Sequence, residues 1–378
     1  MFGWDRAKLS ELMARAGIDL LLVNSRHNLR YLTGYYFHFY ERTTRFADSQ
    51  YLPLLGLPRG DFNRAFYVGR HGEEGQQQAE GLWVVDRYAT LAGTVAAAEK
   101  AAEVAAKRGY RNATIGVEFG FLPADAFAAL RRGLPGATFV DASPVLTELR
   151  AVKTRAEIDH LRSVHDRTAQ AIVAAFRVGR PGITTREVAR QVELEMTARD
   201  LVFLWAFTAA GPGMLRAPAA VRWEEGQVLH IDAGGEDKDY LADICRMGSL
   251  GEPPPLAQEL HSACLEVQDR VRRAIRPGLP ANELLRLGQE AVAALPFRAY
   301  GRFVAHGIGM VSHEEPRINP DNPRPLEAGM VLSVETEFRH PEVGHVKIED
   351  AVVLTPAGCE GLGDLGREWQ IVGGANGQ

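Results

Sequence analysis

The sequence predicts an α+β protein of two domains: a smaller α/β domain over residues 1–145 and a larger domain over residues 146–378 that is built from a duplicated α/β unit. Two observations predict this architecture. Strand-like and helix-like runs alternate along the first domain, and a segment that begins with Arg-Pro-Gly occurs twice in the second. A chain of 378 residues is also long enough to bury two separate cores.

The composition excludes several functional classes. Apolar residues make up 46% and charged residues 24% of the chain, which is an ordinary globular balance. A net charge of −5 without any basic run argues against binding to nucleic acid. The three cysteines lack zinc-finger spacing and indicate a reducing compartment, and no secretory leader or long apolar stretch is found. We therefore expect a cytoplasmic protein without a membrane or nucleic-acid partner.

The first domain is predicted from periodicity. Residues 5–16 place Leu9, Leu12 and Met13 on one face of a helix that ends at Gly17. Further elements are predicted as strands at 18–24, 65–69, 82–86, 114–118 and 138–142, with helices at 91–107 and 123–132. A linker near 143–153 and a long helix over 155–177 should then lead into the second domain.

The second domain contains an internal repeat. Arg180 and Arg276 each begin an Arg-Pro-Gly segment, with a glutamate seven residues later and a helix predicted on either side. Thr184 and Glu187 form a capping box that should start the helix after the first segment. Two copies of one α/β unit are expected to pack about a pseudo-two-fold axis.

Each copy of the repeat also contains a strand that begins with glycine and ends with an acid. The strand 226–232 ends at Asp232, and the strand 329–335 ends at Glu335. If the copies pack about an axis, these two carboxylates should meet near it. The pairing strand of each copy adds a second acid, Asp243 in one and Glu349 in the other. Four buried like charges require cations or strongly raised pKa values.

A histidine completes this set of polar residues. His306 lies in a His-Gly-Ile-Gly run whose glycines leave the ring accessible, and Gly234-Gly235 is expected to turn the chain between the first two acids. Four carboxylates and one imidazole suit Mn²⁺, Co²⁺, Zn²⁺ or Fe²⁺. Bridging carboxylates would hold two such ions roughly 3.5–4 Å apart, the spacing that activates a shared water.

The order of these motifs, from Asp-x₁₀-Asp through His-Gly-Ile-Gly to Ile-Glu-Asp, resembles the pita-bread metallopeptidase family. That family includes methionine aminopeptidase, aminopeptidase P and prolidase (Xaa-Pro dipeptidase). Residues 17–35 resemble the creatinase/prolidase N-terminal domain and residues 146–162 resemble its junction, so the two-domain layout points away from methionine aminopeptidase. The resemblance implies a dinuclear site in a homodimer, with Mn²⁺ or Co²⁺ favoured. Its implied ligands are Asp232, Asp243, His306, Glu335 and Glu349.

The segment that begins at His313 resembles the His-Glu-x-Pro-Arg-Ile segment of prolidase. The resemblance implies that His313 binds substrate and handles protons, and that Arg317 anchors a substrate carboxylate through its guanidinium fork. A surface position is the competing interpretation for Arg317. Glu335 is the expected general base, because a ligand carboxylate beside the attacking water can take up its proton. We therefore expect an enzyme that cleaves short Xaa-Pro peptides.

One departure concerns a histidine that prolidase-like members carry upstream of the first metal strand. Arg216 stands at or beside that position here. We expect either that Arg216 points into the cleft and meets an anionic group, or that His38 replaces the histidine, reaching an active site from the loop 35–46. A surface position is the competing interpretation for His38.

Other departures affect the surroundings of the ligands. A Glu-Thr-Glu segment replaces the usual Glu-Pro-Gly after the third acid, Cys245 replaces a hydroxyl residue, and Lys347 replaces the usual arginine. Changes of this kind commonly cost about 10–100-fold in activity or metal affinity. They leave two alternatives open: a small-molecule amidohydrolase or lyase similar to ectoine hydrolase, or a metal-binding homologue with weak catalysis.

Overall fold

A computed structural model describes residues 3–38, 50–91 and 93–373. The chain divides into two compact units, Met1–Arg150 and Ala151–Gln378, each with its own sheet and helices. The α+β architecture with a smaller first domain is thereby confirmed. Within the described ranges, no helix combines the length and apolar character that crossing a membrane requires.

The first unit is an α/β domain around one mixed sheet. Its strands are ordered β4-β3-β2-β1-β5-β6, with β1 antiparallel to β2 and parallel to β5. The elements are α1 (Arg6–Arg15), β1 (Leu20–Val23), α2 (Arg26–Thr33), β2 (Leu54–Pro58), β3 (Phe66–Arg70), α3 (Glu74–Ala79), β4 (Asp86–Thr90), α4 (Thr94–Lys107), β5 (Thr114–Val117), α5 (Ala124–Gly133), β6 (Thr138–Asp141) and α6 (Ser143–Arg150). Alanines of α4 and α5 pack on the apolar side chains of β1 and β5 and form the core of this unit.

One strand prediction for this part of the chain was wrong. The apolar run 82–86 is not a strand: pairing with β3 begins only at Asp86, and Trp83 instead donates its indole N–H to the carbonyl of Leu32. The predicted linker near 143–153 contains the boundary between the two units, and its first eight residues form α6, which buries Leu146 and Leu149. The expected boundary after residue 145 falls inside this helix.

The second unit is built around a mainly antiparallel sheet with helices packed against it. Its strands are ordered β12-β13-β14-β11-β10-β8, with β15 and β16 at the sides. The elements are α7 (Arg155–Phe176), β7 (Ile183–Thr184), α8 (Thr185–Thr197), β8 (Val202–Ala210), β9 (Arg222–Trp223), β10 (Val228–Asp237), β11 (Tyr240–Leu250), α9 (Pro255–Ala274), α10 (Ala281–Ala293), β12 (Gly301–Gly307), β13 (Val331–His340), β14 (Gly344–Thr355), β15 (Gly358–Leu362) and β16 (Gln370–Val372).

The predicted duplication is visible in this order of elements. Each copy runs helix, Arg-Pro-Gly, helix, outer strand and hairpin: α7, α8, β8, β10 and β11 in the first, and α9, α10, β12, β13 and β14 in the second. The strands β11 and β14 pair antiparallel at the middle of the sheet, as a two-fold relation between the copies requires. Thr184 and Glu187 form the predicted capping box at the start of α8.

Strand alternation separates an apolar face of the sheet from a polar one. Leu229, Ile231 and Ala233 of β10 pack in one core with α7 and α8, while His230 and Asp232 lie on the opposite face. Burial of the apolar face against helices fixes the register, since a slip of one residue would exchange the two faces.

The turn predicted at Gly234-Gly235 was placed too early. Both glycines lie within β10, and the two-residue turn to β11 is formed by Lys238 and Asp239, whose φ angles are 52° and 66°. Positive φ at both positions is the geometry of a tight hairpin turn. Gly234 is required for packing instead, because a Cβ there would lie 2.3 Å from the ring of Trp205.

Candidate metal centre

The five predicted ligand side chains meet on the polar face of the second unit's sheet. Glu335 on β13 lies directly opposite Glu349 on β14. His306 on β12 pairs with Ser333, two residues before Glu335. Because side chains two residues apart share a face, this register brings the imidazole beside both glutamates. The remaining two acids, Asp232 and Asp243, come from the paired strands β10 and β11.

Three of these residues form a compact donor set. Asp243, His306 and Glu349 each offer a ligand atom, these atoms lie within 4.8 Å of one another, and all three residues are buried. Ser333 donates its hydroxyl to Glu349 Oε1 at 2.7 Å and thereby orients that carboxylate. Two carboxylates and an imidazole are a suitable donor set for a divalent transition metal. The residues present therefore fit a divalent ion at this position.

The electrostatics of His306 reflect its acidic neighbours. Its Nε2 lies 3.3 Å from Glu335 Oε1 and 3.8 Å from Glu349 Oε1. Burial by itself lowers the pKa of His306, but hydrogen bonds and charge from the two glutamates outweigh burial and raise the pKa to about 10. The imidazole is thus held in a strongly negative environment, as a ring that shares a cation site with carboxylates would be.

The pKa of Asp243 is perturbed by burial and by the neighbouring acids. Its pKa lies well above the usual value, first because burial disfavours the charged form and then because Glu349 and Asp232 repel a further negative charge. A bound cation would offset both effects and stabilise the ionised carboxylate.

Lys347 lies among the same carboxylates. Its Nζ atom is 2.7 Å from Asp232 Oδ2, 2.6 Å from Glu335 Oε2 and 2.7 Å from Glu349 Oε2. Burial alone would lower the pKa of Lys347, but the three carboxylates outweigh it and hold the pKa well above its usual value. Within the site, a fixed ammonium therefore contacts three of the four acids. The sequence identified Lys347 only as a departure from the family pattern and gave no sign of this central position.

Arg216 also points into the site. Its guanidinium donates through Nη2 to Asp232 Oδ2 and lies over the ring of Phe207, 4.7 Å from the ring centroid. The anionic group that Arg216 meets is thus a carboxylate of the site itself. Asp232 consequently has two cationic neighbours, Arg216 and Lys347.

A second layer of buried polar residues lies beside Asp232, and the sequence analysis did not single it out as functional. His230 stacks on His345 with ring centroids 4.4 Å apart, and His345 Nε2 lies 2.8 Å from Glu337 Oε2. Burial would raise the pKa of Glu337, but His345 and nearby cations lower it to about 2. His230 and Glu337 lie two positions from ligand residues on β10 and β13, and His345 lies four positions before Glu349 on β14. Reading outward from the ligands in steps of two residues was therefore the available signal.

His313 lies at the entrance to the centre. Its ring stacks on that of His306, with centroids 3.9 Å apart and planes inclined by 16°. It lines a cavity of about 410 Å³ that opens over the carboxylates and has Trp205 and Phe207 among its walls. Burial and the adjacent His306 lower the pKa of His313, which favours the neutral imidazole.

The other two candidate residues, Arg317 and His38, are not among the residues that line this cavity. The side chain of Arg317 is 74% exposed, its Nε is 3.5 Å from Glu315 Oε1, and it is not part of the cavity lining. His38 belongs to the first unit, where its Nδ1 lies 2.9 Å from Gln76 Oε1. The rest of its loop, residues 39–46, lies outside the described part of the chain. The proposed roles of Arg317 and His38 stay predictions.

Each of the two units matches the sequence profile of a known protein family. The sequence profile of metallopeptidase family M24 matches residues 159–356, and the profile of the creatinase/prolidase N-terminal domain matches residues 6–152. An Xaa-Pro dipeptidase of Pyrococcus furiosus is 30% identical over 238 residues, which cover 61% of this chain and 68% of the relative. An Xaa-Pro dipeptidase of Lactobacillus delbrueckii subsp. lactis is 26% identical over 97% of this chain and 98% of the relative.

The fold itself also has solved counterparts. The structure of an Xaa-Pro dipeptidase from Bacillus anthracis superposes with a TM-score of 0.82 at 23% identity, covering 97% of this chain and 98% of that one. At that identity the likeness establishes the fold, including the duplicated unit and its central antiparallel pair. What is cleaved depends on the side chains around the cavity.

Proposed function

Because the chain belongs to metallopeptidase family M24, we propose that it is a metal-dependent peptidase that cleaves short proline-containing peptides, in the manner of an Xaa-Pro dipeptidase or aminopeptidase P. Membership of the pita-bread family, expected from the motifs, is confirmed by the profile match. The observation that carries the proposal is the buried set of Asp243, His306 and Glu349 beneath a cavity whose entrance holds His313.

Different side chains of the site are suited to metal binding and to proton transfer. A divalent ion held by Asp243, His306 and Glu349 would supply Lewis-acid polarisation of a peptide carbonyl and a water of lowered pKa. Glu335 is suited to accept a proton from that water, because its side chain is 16% exposed while Glu349 is 1% exposed. Burial raises the pKa of Glu335, but Lys347 and His306 outweigh burial and lower it, so the carboxylate is ionised.

His313 is suited to bind the substrate. It lies at the cavity entrance beside His306, and its neutral ring can donate a hydrogen bond to a carbonyl oxygen. The walls formed by Trp205 and Phe207 offer apolar surface for a side chain or a prolyl ring. We propose Mn²⁺ or Co²⁺ as the metal, with Zn²⁺ or Fe²⁺ as the alternatives that the donor set also accepts. The pair of ions and the homodimer implied by the family resemblance stay predictions.

A second candidate function is favoured by the charges around the cavity. Arg216, Arg302 and Arg339 all line it, whereas Arg317, the expected anchor for a peptide carboxylate, lies outside. Arg216 and Arg339 already pair with Asp232 and Glu337, but the positive charge of the three guanidinium groups still favours a compact anionic substrate. A small-molecule amidohydrolase or lyase would take such a substrate. This alternative keeps the same metal centre and changes only the molecule that binds over it.

A substrate panel separates the two functions. The purified protein, supplied with Mn²⁺ or Co²⁺, should be assayed on Xaa-Pro dipeptides, longer peptides with proline second, dipeptides without proline, and cyclic amides. Dipeptidase function predicts the highest kcat/KM on Xaa-Pro dipeptides, because the apolar walls and His313 match a short prolyl substrate. Turnover confined to cyclic amides would contradict this proposal and favour the alternative, and an Asp243→Ala variant measures any contaminating activity.

Arg317 gives a sharper test of the substrate class. If the guanidinium holds the free carboxylate of a dipeptide, Arg317→Ala should raise KM with little change in kcat. Loss of one charge-assisted contact of about 1.5–3 kcal/mol corresponds to a roughly 10–150-fold increase in KM. Arg298→Ala is a matched control because it removes an arginine that lines a different cavity. Equal cleavage of free-acid and C-terminally amidated substrates by the unmodified enzyme would contradict a carboxylate anchor.

A further inference from the structure

Lys347 reaches the carboxylates because of its place on β14. It lies two residues before Glu349, so both side chains point to the same face of the sheet. The strand β14 is one of the two central strands and pairs with β13 on one side and β11 on the other. From this position the lysine side chain spans β11 and contacts Asp232 on β10 as well as Glu335 on β13.

The contacts of the ammonium group match its hydrogen-bonding capacity. A lysine ammonium has three N–H donors, and Lys347 Nζ has three carboxylate oxygens within 2.7 Å, one from each of three residues. The lysine is only 3% exposed, so these carboxylates provide the compensation that a buried charge requires. A divalent cation that used the same three oxygens would be strongly repelled by the ammonium at so short a distance.

The charge balance of the site also favours one divalent ion over two. Asp232, Asp243, Glu335 and Glu349 bring four negative charges when ionised. Lys347 contacts three of these acids, and Arg216 adds a second positive charge against Asp232. Two negative charges then remain, which a single divalent ion balances. With a second divalent ion the same set of groups would carry an excess positive charge in a buried place, which is unfavourable.

The possible ligand atoms fall into two groups that differ in their contacts with the cations of the chain. Asp243, His306 and Glu349 bring ligand atoms within 4.8 Å of one another, and Asp243 has no contact with the ammonium among the ion pairs of the described residues. The Oδ2 atom of Asp232, in contrast, already accepts from both Lys347 and Arg216. Of the three residues in the compact set, only Glu349 also contacts the ammonium, whereas Asp232 is already paired with two cations of the chain itself.

We propose that the ammonium of Lys347 takes the place of one of the two metal ions implied by the family resemblance, so that each chain binds one divalent ion, at Asp243, His306 and Glu349. The inference rests on the metal dependence of the proposed function but goes beyond it, because it fixes the number of ions and the residues that hold the remaining one. The lysine holds Asp232 and Glu335 in position without a second metal.

Metal stoichiometry tests the proposal without reference to catalysis. Full-length protein saturated with Mn²⁺ or Co²⁺ should be examined by native mass spectrometry and elemental analysis, with crystals of the Co²⁺ form examined by anomalous diffraction. We expect one ion per chain and one anomalous peak, next to Asp243, His306 and Glu349. Lys347→Ala removes the ammonium and leaves its space open, so the stoichiometry should rise to two ions per chain.

A control variant tests whether the change in metal stoichiometry is specific to Lys347. Lys107→Ala removes a lysine that is 71% exposed and lies in the first unit, and it should leave one ion per chain. Two ions in the unmodified protein would overturn the inference while leaving the proposed peptidase function intact. A Lys347→Ala protein that still binds one ion would also overturn it, and no ion in the unmodified protein would overturn both. If Lys347→Ala does not fold, the stoichiometry of the unmodified protein decides.

Discussion

Asp243→Ala and His306→Ala are each expected to abolish tight metal binding and, with it, hydrolysis. Each variant removes one donor from a set of three whose ligand atoms lie within 4.8 Å of one another. Two remaining protein donors hold a divalent ion poorly, so activity should fall by more than the roughly 10–100-fold that loss of an outer-shell partner costs. Elemental analysis of the purified variants, followed by steady-state kinetics with added Mn²⁺ or Co²⁺, measures both effects.

The matched control for these variants is Glu360→Ala. It removes a carboxylate of the same unit that is 62% exposed and pairs with Arg162 at the surface. Metal content and kcat should be unchanged in this variant. Unaltered metal stoichiometry in both Asp243→Ala and His306→Ala would show that other residues hold the ion. In the unmodified protein, acid should release the ion, because protons and the metal compete for the same carboxylate and imidazole atoms.

His313→Ala is expected to lower kcat while leaving the metal content unchanged. The ring lies outside the compact donor set but stacks on His306 at the cavity entrance. Loss of a positioned acid–base or hydrogen-bonding group typically costs about 10²–10⁴-fold in rate. The measurement is kcat and KM on the best substrate of the panel, together with elemental analysis of the same preparation.

The control for His313 is His71→Ala, which removes an exposed histidine of the first unit and should leave both kcat and metal content as they are. An unchanged kcat in His313→Ala would remove this residue from the catalytic machinery. Loss of metal from that variant would give His313 a different part, in holding His306 in position through the stacked rings.

The sequence predicted much of the second unit because its signals are local or repeated. The positions of Asp232 and Glu335 followed from two similar strands in two similar copies, and the pairing acids followed from the next strand in each copy. Strand alternation then placed these side chains on one face. The turn at Gly234 was wrong, because a glycine inside a strand can serve close packing, here against Trp205, as well as a turn.

In the first unit, too, packing in the folded chain decided what the local sequence left open. The apolar run 82–86 has the composition of a strand, but Leu82 and Val84 are buried without a hydrogen-bonded partner strand, Val85 is exposed, and pairing starts at the last residue of the run. The segment 143–153 is predicted to be a linker because the character of the sequence changes after Pro144. Its first eight residues form a helix because Leu146 and Leu149 find a core to pack against. Burial available only in the folded chain decided both outcomes.

The sequence by itself determined the two-part α+β architecture, the duplicated unit and the family to which the chain belongs, because period-two strands, repeated segments and ordered motifs are all written along the chain. The tertiary structure alone decided which cations meet the carboxylates. Lys347 and Asp232 are 115 residues apart and lie on strands separated by β11. Arg216 reaches Asp232 from the segment before β9. Such contacts depend on strand order, twist and side-chain length together, and no local pattern in the sequence encodes that combination.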